Sequence, residues 1–306
     1  MPAGQHPGIE VPGIEVPGIA SLAIRELLHG PRREGRVIAA VRGAIFAEFP
    51  AAAREPRVIT ISSPEVLRLP NAIIGAGRAG GGDLAGNSGL DDLPGSVAWT
   101  GGGSIIAGRL TVHVRRWWDP SPVFGPLSRA RLDHGAAVLA RLCAQADPGP
   151  GLAGHDGPGI LAACCASGDL AGAVEQAEQL VGLGPGMVPG GDAVLCGVLL
   201  ALRLLGGAIP GGTRAVWLAG WLSAAVTSYA AQRTTPLAAA LLHCAARGQA
   251  SAEVSAVLHG FAGEEPVEPA ARKLLAAGRG AAGTGTADLV WGLVAGCRAA
   301  QVLSVS

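Results

Sequence analysis

The sequence lacks an excess of charge of either sign. Lys plus Arg and Asp plus Glu both total 23 in a chain of 306 residues. No long-range field would therefore concentrate nucleic acid or an anionic membrane on the surface. We expect neither nucleic acid nor a membrane as a partner.

The sequence also lacks the cysteine patterns of metal or redox sites. Its cysteines form no C-x-x-C pair and lie mostly in apolar helical context, where a thiol behaves as a small hydrophobic group. We predict that they are reduced core residues: Cys143, Cys164, Cys165, Cys196, Cys244 and Cys297. The N-terminus has neither the basic nor the apolar region of a secretory signal. Both features indicate a cytoplasmic protein.

Long hydrophobic runs are absent although 49% of the residues are hydrophobic. The two most apolar stretches, 194–209 and 215–231, fall short of the roughly 20 residues that a bilayer core demands. The first of them carries Arg203 in mid-run, and a charge there is costly in lipid. We predict buried core helices for both stretches.

No catalytic triad, metal-ligand set or close acidic pair stands out, so we expect neither a metal nor a cofactor. The run GAGRAG at 75–80 does spell the dinucleotide fingerprint G-x-G-x-x-G. That fingerprint requires a helix to begin at its third glycine, and here the chain continues without helical periodicity. A glycine-rich turn is favoured, and dinucleotide binding is the alternative, which NAD or FAD in the purified protein would support.

The first part of the chain divides into a leader and a β-rich region. Residues 1–20 contain repeated PGIEV units, in which Pro and Gly prevent regular helix, so we predict a flexible leader followed by a short helix at 22–28. Residues 21–126 contain short apolar runs separated by Gly and Pro, which predict a mostly antiparallel sheet or barrel. The polar, glycine-rich stretch 80–94 is predicted to be a mobile loop.

Apolar residues then recur at helical spacing almost to the end of the chain. We predict a helical domain over 127–306, and the fold class is therefore α+β. The predicted helices are 127–146, 159–166, 169–181, 191–207, 213–231, 235–247, 251–261, 268–278 and 285–300.

A glycine-rich loop, GLGPGMVPGG at 182–191, stands directly before one of these helices. Glycines allow successive amides to point into one concavity, and a helix start adds partial positive charge, so an anion is the natural ligand. Prolines at 185 and 189 would hold the loop stiff. The candidate substrate-binding residues are Gly184, Gly186, Gly190 and Gly191. Asp192 either accepts loop amides as a cap or orients a substrate donor or a metal ion.

A second glycine-rich loop, 278–286, precedes the last helix in the same way. Thr284, Gly285 and Thr286 are candidate substrate-binding residues, although either threonine could simply cap the helix. Asp288 follows in the first turn, and we take Asp192 and Asp288 as the candidate catalytic residues. Two arginines could supply charge for an anion: Arg279 in the loop, and Arg233, for which an ordinary solvated role is the alternative.

The run GLGPGMVPGGDAVLCGVLLAL resembles a known pattern, roughly G-x-G-P-G-L-T-P-S-x-D-D followed by an apolar helix of small residues. That pattern belongs to the AllH-like family, a domain of unknown function associated with bacterial allantoin breakdown. The stretch GTGTADLVWGLVAG is similar to the family's T-S-G-x-D-x-L-x-G, and weaker similarity covers 223–247 and FGPL at 124–127. The resemblance is good over the C-terminal half and loose elsewhere.

The chain departs from this family pattern at several positions of the two loops. In the first loop Met187 and Val188 replace Leu and Thr, and Gly190 replaces Ser. Ala193 replaces the second Asp. In the second loop Gly285 replaces Ser and Thr286 replaces Gly. Backbone amides are unaffected by such changes, because they need no side chain.

The resemblance implies a function in carbamoyl transfer. Members resemble one subunit of oxamate carbamoyltransferase, in which three different proteins move a carbamoyl group between phosphate and oxamate. The expected ligands are carbamoyl phosphate and a small carboxylate, both anions, and the expected partners are other carbamoyltransferase subunits. The alternatives are a non-catalytic scaffold or regulatory protein and a diverged small-anion-binding enzyme of other specificity.

Overall fold

The computed structural model of the chain describes residues 13–50, 56–75, 92–145, 152, 154–277 and 285–305. It confirms the predicted α+β class, with a β-rich N-terminal part and a mainly helical C-terminal part. The strands are β1 Ile14–Ser21, β2 Arg33–Val41, β3 Ala44–Glu48, β4 Val58–Ser62, β5 Ala72–Gly75, β6 Val97–Gly101, β7 Ser104–Ala107 and β8 Leu110–Trp118. The short helix predicted at 22–28 is present as a 3₁₀ turn, Leu22–Ile24, followed by α1, Arg25–His29.

Each helix predicted after residue 126 is present, with ends shifted by a few residues. The helices are α2 Arg129–Gln145, α3 Gly157–Ser167, α4 Leu170–Leu180, α5 Gly190–Leu200, α6 Thr213–Arg233, α7 Pro236–Ala246, α8 Ala252–Ala262, α9 Val267–Ala277 and α10 Thr286–Leu303. Helix α5 continues through a π-helical turn, Ala201–Leu205, to Ala208.

The strands form a closed barrel in the order β1-β5-β4-β3-β2-β6-β7-β8. Its pairs are antiparallel except for β1 with β8 and β4 with β5. Alternate residues face inward, as in β4, where Ile59 and Ile61 belong to the interior cluster and Val58 to the cluster outside it. The turn and α1 bury Ile24 against that interior, so they close one end of the barrel.

The flexible leader predicted for residues 1–20 is wrong for residues 14–20, which belong to strand β1; residues 1–12 lie outside the described ranges. Burial alternates along β1, and Val16 is 3% exposed. Gly18 is required by packing, because a Cβ there would lie 2.5 Å from Cγ1 of Val112. The PGIEV repeat therefore contains a strand in which every second residue is buried. The strand was not predicted, because Pro and Gly usually interrupt regular structure.

The helical part is organised around the close pair α5 and α10. A Cβ on Gly197 would lie 2.2 Å from the carbonyl oxygen of Leu289, and a Cβ on Gly292 would lie 2.2 Å from that of Val194. Gly296 approaches Val198 in the same way. Gly190 lies beside Asp288, Val194 beside Gly292 and Val198 beside Gly296. Since these contacts advance in the same direction along both helices, α5 and α10 are parallel and their N-termini lie at the same end.

The barrel packs against the helical part through a third apolar cluster. Phe46 and Val58 of the barrel contribute to it, together with Val188 of the glycine-rich loop and Leu237 of α7. Backbone bonds support the contact, since the amide of Ala252 donates to the carbonyl of Arg68 at 3.1 Å. The loop 182–189 is thereby held between the barrel and the helices.

Of the helices in the described ranges, the span Gly190–Ala208 alone is long and apolar enough to cross a membrane by length and composition. In its most apolar stretch, 78% of the residues are buried inside the protein. A core helix has the same two properties, and this span is the centre of the helical packing.

We predict that Gly197→Ala lowers the free energy of unfolding by about 1–3 kcal/mol, because the added methyl group meets backbone atoms that cannot move independently. Gly207→Ala, in the same helical span, is the matched control. A Cβ there meets only Cγ2 of Val216 at 3.9 Å, so that variant should gain about 0.5–1 kcal/mol from helix propensity. Urea unfolding measures both; equal stability of the two variants would contradict the close packing.

Candidate functional site

The starts of helices α5 and α10 meet. A Cβ on Gly190 would lie 2.7 Å from Oδ2 of Asp288, so the absence of a side chain at 190 makes room for that carboxylate. Gly285 precedes α10 with φ +55°, and a Cβ there would lie 3.0 Å from the Cβ of Ala193. The two glycine-rich helix starts that the sequence singled out therefore lie beside each other.

A third helix start, that of α3, reaches the same place. Between α3 and the pair α5 and α10 lies a cavity of about 290 Å³. It is lined by Cys143, Leu152, Gly154, His155, Pro158, Gly159, Val194, Ala287, Asp288 and Trp291. The N-terminal ends of α3 and α10, each carrying partial positive charge, thus line one cavity, and the start of α5 at Gly190 lies beside its Asp288 carboxyl group. This arrangement favours an anionic ligand.

The glycine-rich loop contributes backbone amides at the edge of this cavity. Gly184 has φ +106°, and a Cβ on it would lie 3.6 Å from Cδ2 of Leu152, which lines the cavity. Within the described ranges, no protein group accepts a hydrogen bond from the amides of Gly184, Gly186 or Gly190. Gly184 and Gly190 therefore offer donors beside the cavity, whereas Gly186 lies at the exposed tip of the loop.

Asp288 is the acidic group of the cavity. Burial raises the pKa of this carboxyl, and a hydrogen bond with the backbone of Leu152 lowers it in part. A carboxylate beside helix starts is stabilised by their partial charge. Its oxygens accept hydrogen bonds, so it suits the N–H groups of a ligand whose other end is anionic.

His155 lines the same cavity, although sequence reasoning assigned no partner to it. Its Nδ1 accepts a hydrogen bond from the amide of Gly157 at 3.0 Å. In the neutral imidazole the proton then resides on Nε2, which becomes a donor. Gly157 is needed here, since a Cβ on it would lie 2.9 Å from Nδ1 of His155. The helix start at Pro158 was the available sequence signal for this position.

Cys143 also lines the cavity, but its surroundings keep it protonated. Its thiol donates to the carbonyl of Ala287 at 3.6 Å. Burial raises the pKa of this thiol, and the charge of Asp288 raises it further. Because the thiolate is the reactive form, Cys143 acts as a wall of the cavity rather than as a nucleophile.

Asp192 faces away from the cavity and holds the rear of the loop. It is 0% exposed. Its Oδ1 accepts the amide of Gly182 at 3.1 Å, and its Oδ2 accepts the hydroxyl of Thr234. Burial raises the pKa of this carboxyl from 3.8 to about 6, although both hydrogen bonds lower it. The capping role considered for Asp192 matches this geometry, while contact with a substrate does not.

Three other candidates also lie away from the cavity. Arg233 is exposed, and its Nη1 donates to the carbonyl of Glu178 at 3.4 Å. Gly191 packs against the chain behind the loop, where a Cβ would lie 2.0 Å from the carbonyl oxygen of Leu180. Thr286 is buried as the first residue of α10 and borders a separate apolar cavity.

Some predicted features fall outside the described ranges. They are Thr284, Arg279, and the dinucleotide-like run apart from Gly75, which ends β5. Within the described ranges, no three His, Cys, Asp or Glu residues are grouped so that they could hold a metal ion.

Two departures from the family pattern lie in contact. A Cβ on Gly285 would lie 3.0 Å from the Cβ of Ala193, so the Ser and Asp of that pattern would touch here. Both positions are small in this chain. The helix starts therefore offer backbone amides, and Asp288 is the acidic side chain beside them. Binding of a ligand there would depend on the backbone amides.

We predict that Asp192→Asn alters how stability depends on pH. Because the folded-state pKa is raised, the stability contributed by Asp192 is fully present below about 3.8 and is lost as pH rises to about 6. The loss is about 3 kcal/mol. The amide side chain of the variant does not titrate but can still accept the Gly182 amide, so the variant should lack this fall and be at least as stable at neutral pH.

Urea unfolding of both proteins between pH 3 and pH 8, with about one-unit steps, measures this difference. Asp192→Ala is the control, since it leaves the Gly182 amide and the Thr234 hydroxyl without an acceptor and should cost about 1–3 kcal/mol. An unchanged pH profile in Asp192→Asn would contradict a raised pKa at this position.

Comparison with known proteins finds a match for the helical segment that contains α5 and most of α10. The sequence model of the family described as oxamate carbamoyltransferase subunit AllH matches residues 180–297. The matched segment is shorter than half of the chain, and it includes the glycine-rich loop, α5 and most of α10. Neither a curated protein nor a solved structure matches the chain. Residues 180–297 are therefore AllH-like, and the description of that family associates it with a carbamoyltransferase made of several subunits.

Proposed function

Since the segment 180–297 is AllH-like, we propose that this protein is the substrate-binding subunit of a carbamoyltransferase. Its ligand is a small molecule with a carboxylate at one end and a primary amide at the other, as in oxamate. One observation carries this proposal: the starts of α3 and α10 and the carboxyl group of Asp288 line a single cavity, and the start of α5 at Gly190 lies beside that carboxyl group.

The anionic end of the ligand lies at the helix starts. Helices α5 and α10 are parallel and in contact, so their dipoles are aligned side by side and repel each other. An anion at their common end offsets that repulsion and accepts hydrogen bonds from amides such as that of Gly190. This interaction needs no side chain, which is consistent with the small residues at 190 and 285.

The amide end of the ligand lies at Asp288. The carboxylate accepts the N–H groups of the amide, and it repels a second carboxylate in the same place. His155 donates from Nε2 to the carbonyl oxygen of the ligand. The site thereby distinguishes oxamate, with one charge and one amide, from a dicarboxylate of equal size.

The reaction that this geometry suits is transfer of a carbamoyl group to the amide nitrogen. The nitrogen attacks the carbonyl carbon of carbamoyl phosphate, a C–N bond forms, the C–O bond to phosphate breaks and phosphate leaves. The nitrogen loses a proton, and Asp288 is the acceptor within the cavity; its raised pKa suits that role. Helix-start amides stabilise the charge on the leaving phosphate.

The second candidate is a subunit that binds the ligand but does not catalyse the transfer, which another subunit would then carry out. It is favoured by the small side chains of Ala193 and Gly285 at positions where the family pattern has an acid and a hydroxyl. Phosphate release from carbamoyl phosphate and oxamate distinguishes the two candidates. Activity of the purified chain supports catalysis, whereas activity restricted to mixtures with the other subunits supports binding.

We predict that the protein binds oxamate at least about tenfold more tightly than oxalate, since a hydrogen bond to a charged group contributes about 1.5–3 kcal/mol. Asp288→Asn should reduce or reverse this preference, because it removes the charge that repels the second carboxylate. In the unmodified protein the preference should also weaken as pH falls and Asp288 becomes protonated. Isothermal titration calorimetry measures each affinity.

Glu175→Gln is the matched control for that measurement. Glu175 is an exposed acid on α4 that does not line the cavity, so the preference for oxamate should be unchanged. Equal binding of oxalate and oxamate by the unmodified protein would contradict the role assigned to Asp288.

We predict that Gly157→Ala weakens oxamate binding to about the same extent as His155→Ala. The added methyl group would displace the imidazole, whose Nδ1 lies 2.9 Å from its position. Gly125→Ala is the control, because Gly125 does not line the cavity and no atom lies within 4 Å of a Cβ there. Calorimetric affinities test this, and full affinity in Gly157→Ala would show that the position of His155 does not matter.

A further inference from the structure

Helix α6 exposes an aromatic pair that packing within the chain does not explain. Trp217 is 57% exposed and Trp221 is 52% exposed. Their ring centroids lie 5.9 Å apart with planes at 70°, so the rings form one continuous apolar surface. A single exposed apolar residue is ordinary, but a contiguous pair of this size marks an interaction surface.

Small residues lie between and beside these rings on the same face. Gly220 and Ala224 are exposed, and they share the face of Trp217 and Trp221 at spacings of three and four residues. No atom lies within 4 Å of a Cβ placed on Gly220. The face therefore presents two large groups and two depressions in alternation, without a charged residue between Arg214 and Arg233.

We propose that this face binds the same face of a second copy of the chain, with the two α6 helices antiparallel. A two-fold axis between Gly220 and Trp221 places Trp217 of each copy over Ala224 of the other. The same axis places Trp221 of each copy over Gly220 of the other. Each large group then meets a depression, as an isologous interface requires. This proposal does not depend on the proposed function.

Charge complementarity supports a second copy as the occupant. The antiparallel arrangement brings Arg214 of each copy against the C-terminal half of the other α6, where the helix dipole is negative. Arg214 of each copy thus lies near the negative half of the partner helix at both ends of the interface.

The size of the face predicts a reversible dimer. A tryptophan buries about 150–250 Å² when it is fully covered, and about half of each indole is already buried here. The four half-exposed indoles therefore supply about 300–500 Å² of buried area, which is less than a stable dimer buries. We expect a dimer that dissociates on dilution.

The test is sedimentation velocity over a dilution series, without ligand. The unmodified protein should dimerise, and Gly220→Leu should weaken the dimer by about tenfold or more, because a side chain that fills the depression displaces Trp221 of the other copy. The variant should fold, since the space beside Gly220 is open. Val97→Ala removes an equally exposed apolar side chain from the barrel, and it should leave the dimer unchanged.

Cysteine cross-linking tests the register. Gly220→Cys lies next to the two-fold axis and should form a disulfide between copies, whereas Gln232→Cys, exposed at the far end of α6, should not exceed the background of the native cysteines. A monomer at every concentration, as expected if another subunit covers this face, would overturn the proposal. A dimer unaffected by Gly220→Leu, or equal cross-linking at both positions, would also overturn it.

Discussion

The close, parallel packing of α5 and α10 is the contact on which the rest of the structure depends. Gly197, Gly292 and Gly296 allow the two backbones to touch, and larger side chains would separate the helices. Parallel packing places both N-termini at one end. The cavity, the open amides and Asp288 all lie there, so the apolar core of the helical part and the polar character of the site share one cause.

The loop 182–191 connects that contact to the remainder of the molecule. Asp192 holds the loop from behind through Gly182 and Thr234, and Val188 packs between barrel and helices. A buried carboxyl with a raised pKa destabilises the fold when it ionises, yet it fixes the loop whose amides border the cavity. Asp192 thus lowers the stability of the fold at neutral pH while it fixes the backbone of the loop that borders the cavity.

Much of the fold was predictable, because it follows from local periodicity. Helical spacing after residue 126 predicted the helices, and the short apolar runs of residues 21–126 predicted the β-rich region that contains strands β2 to β8. Strand β1 was missed, since its pairing with β5 and β8 is a long-range property and its Pro and Gly residues mask the alternation.

The glycine-rich helix starts of the candidate site were also predictable from the sequence. The distance between them, the burial of Asp192 and the participation of His155 depend on how distant segments pack, and spacing along the chain does not encode that.

In the proposed complex, the carboxylate of the ligand lies at the starts of α5 and α10 and its amide lies at Asp288. The most direct measurement is a crystal structure of the protein with oxamate. We predict oxamate in the cavity beside His155 and Trp291, with its nitrogen within hydrogen-bonding distance of a carboxyl oxygen of Asp288. Oxamate bound instead in the separate cavity between barrel and helices, which Arg57 and His243 line, would contradict the account.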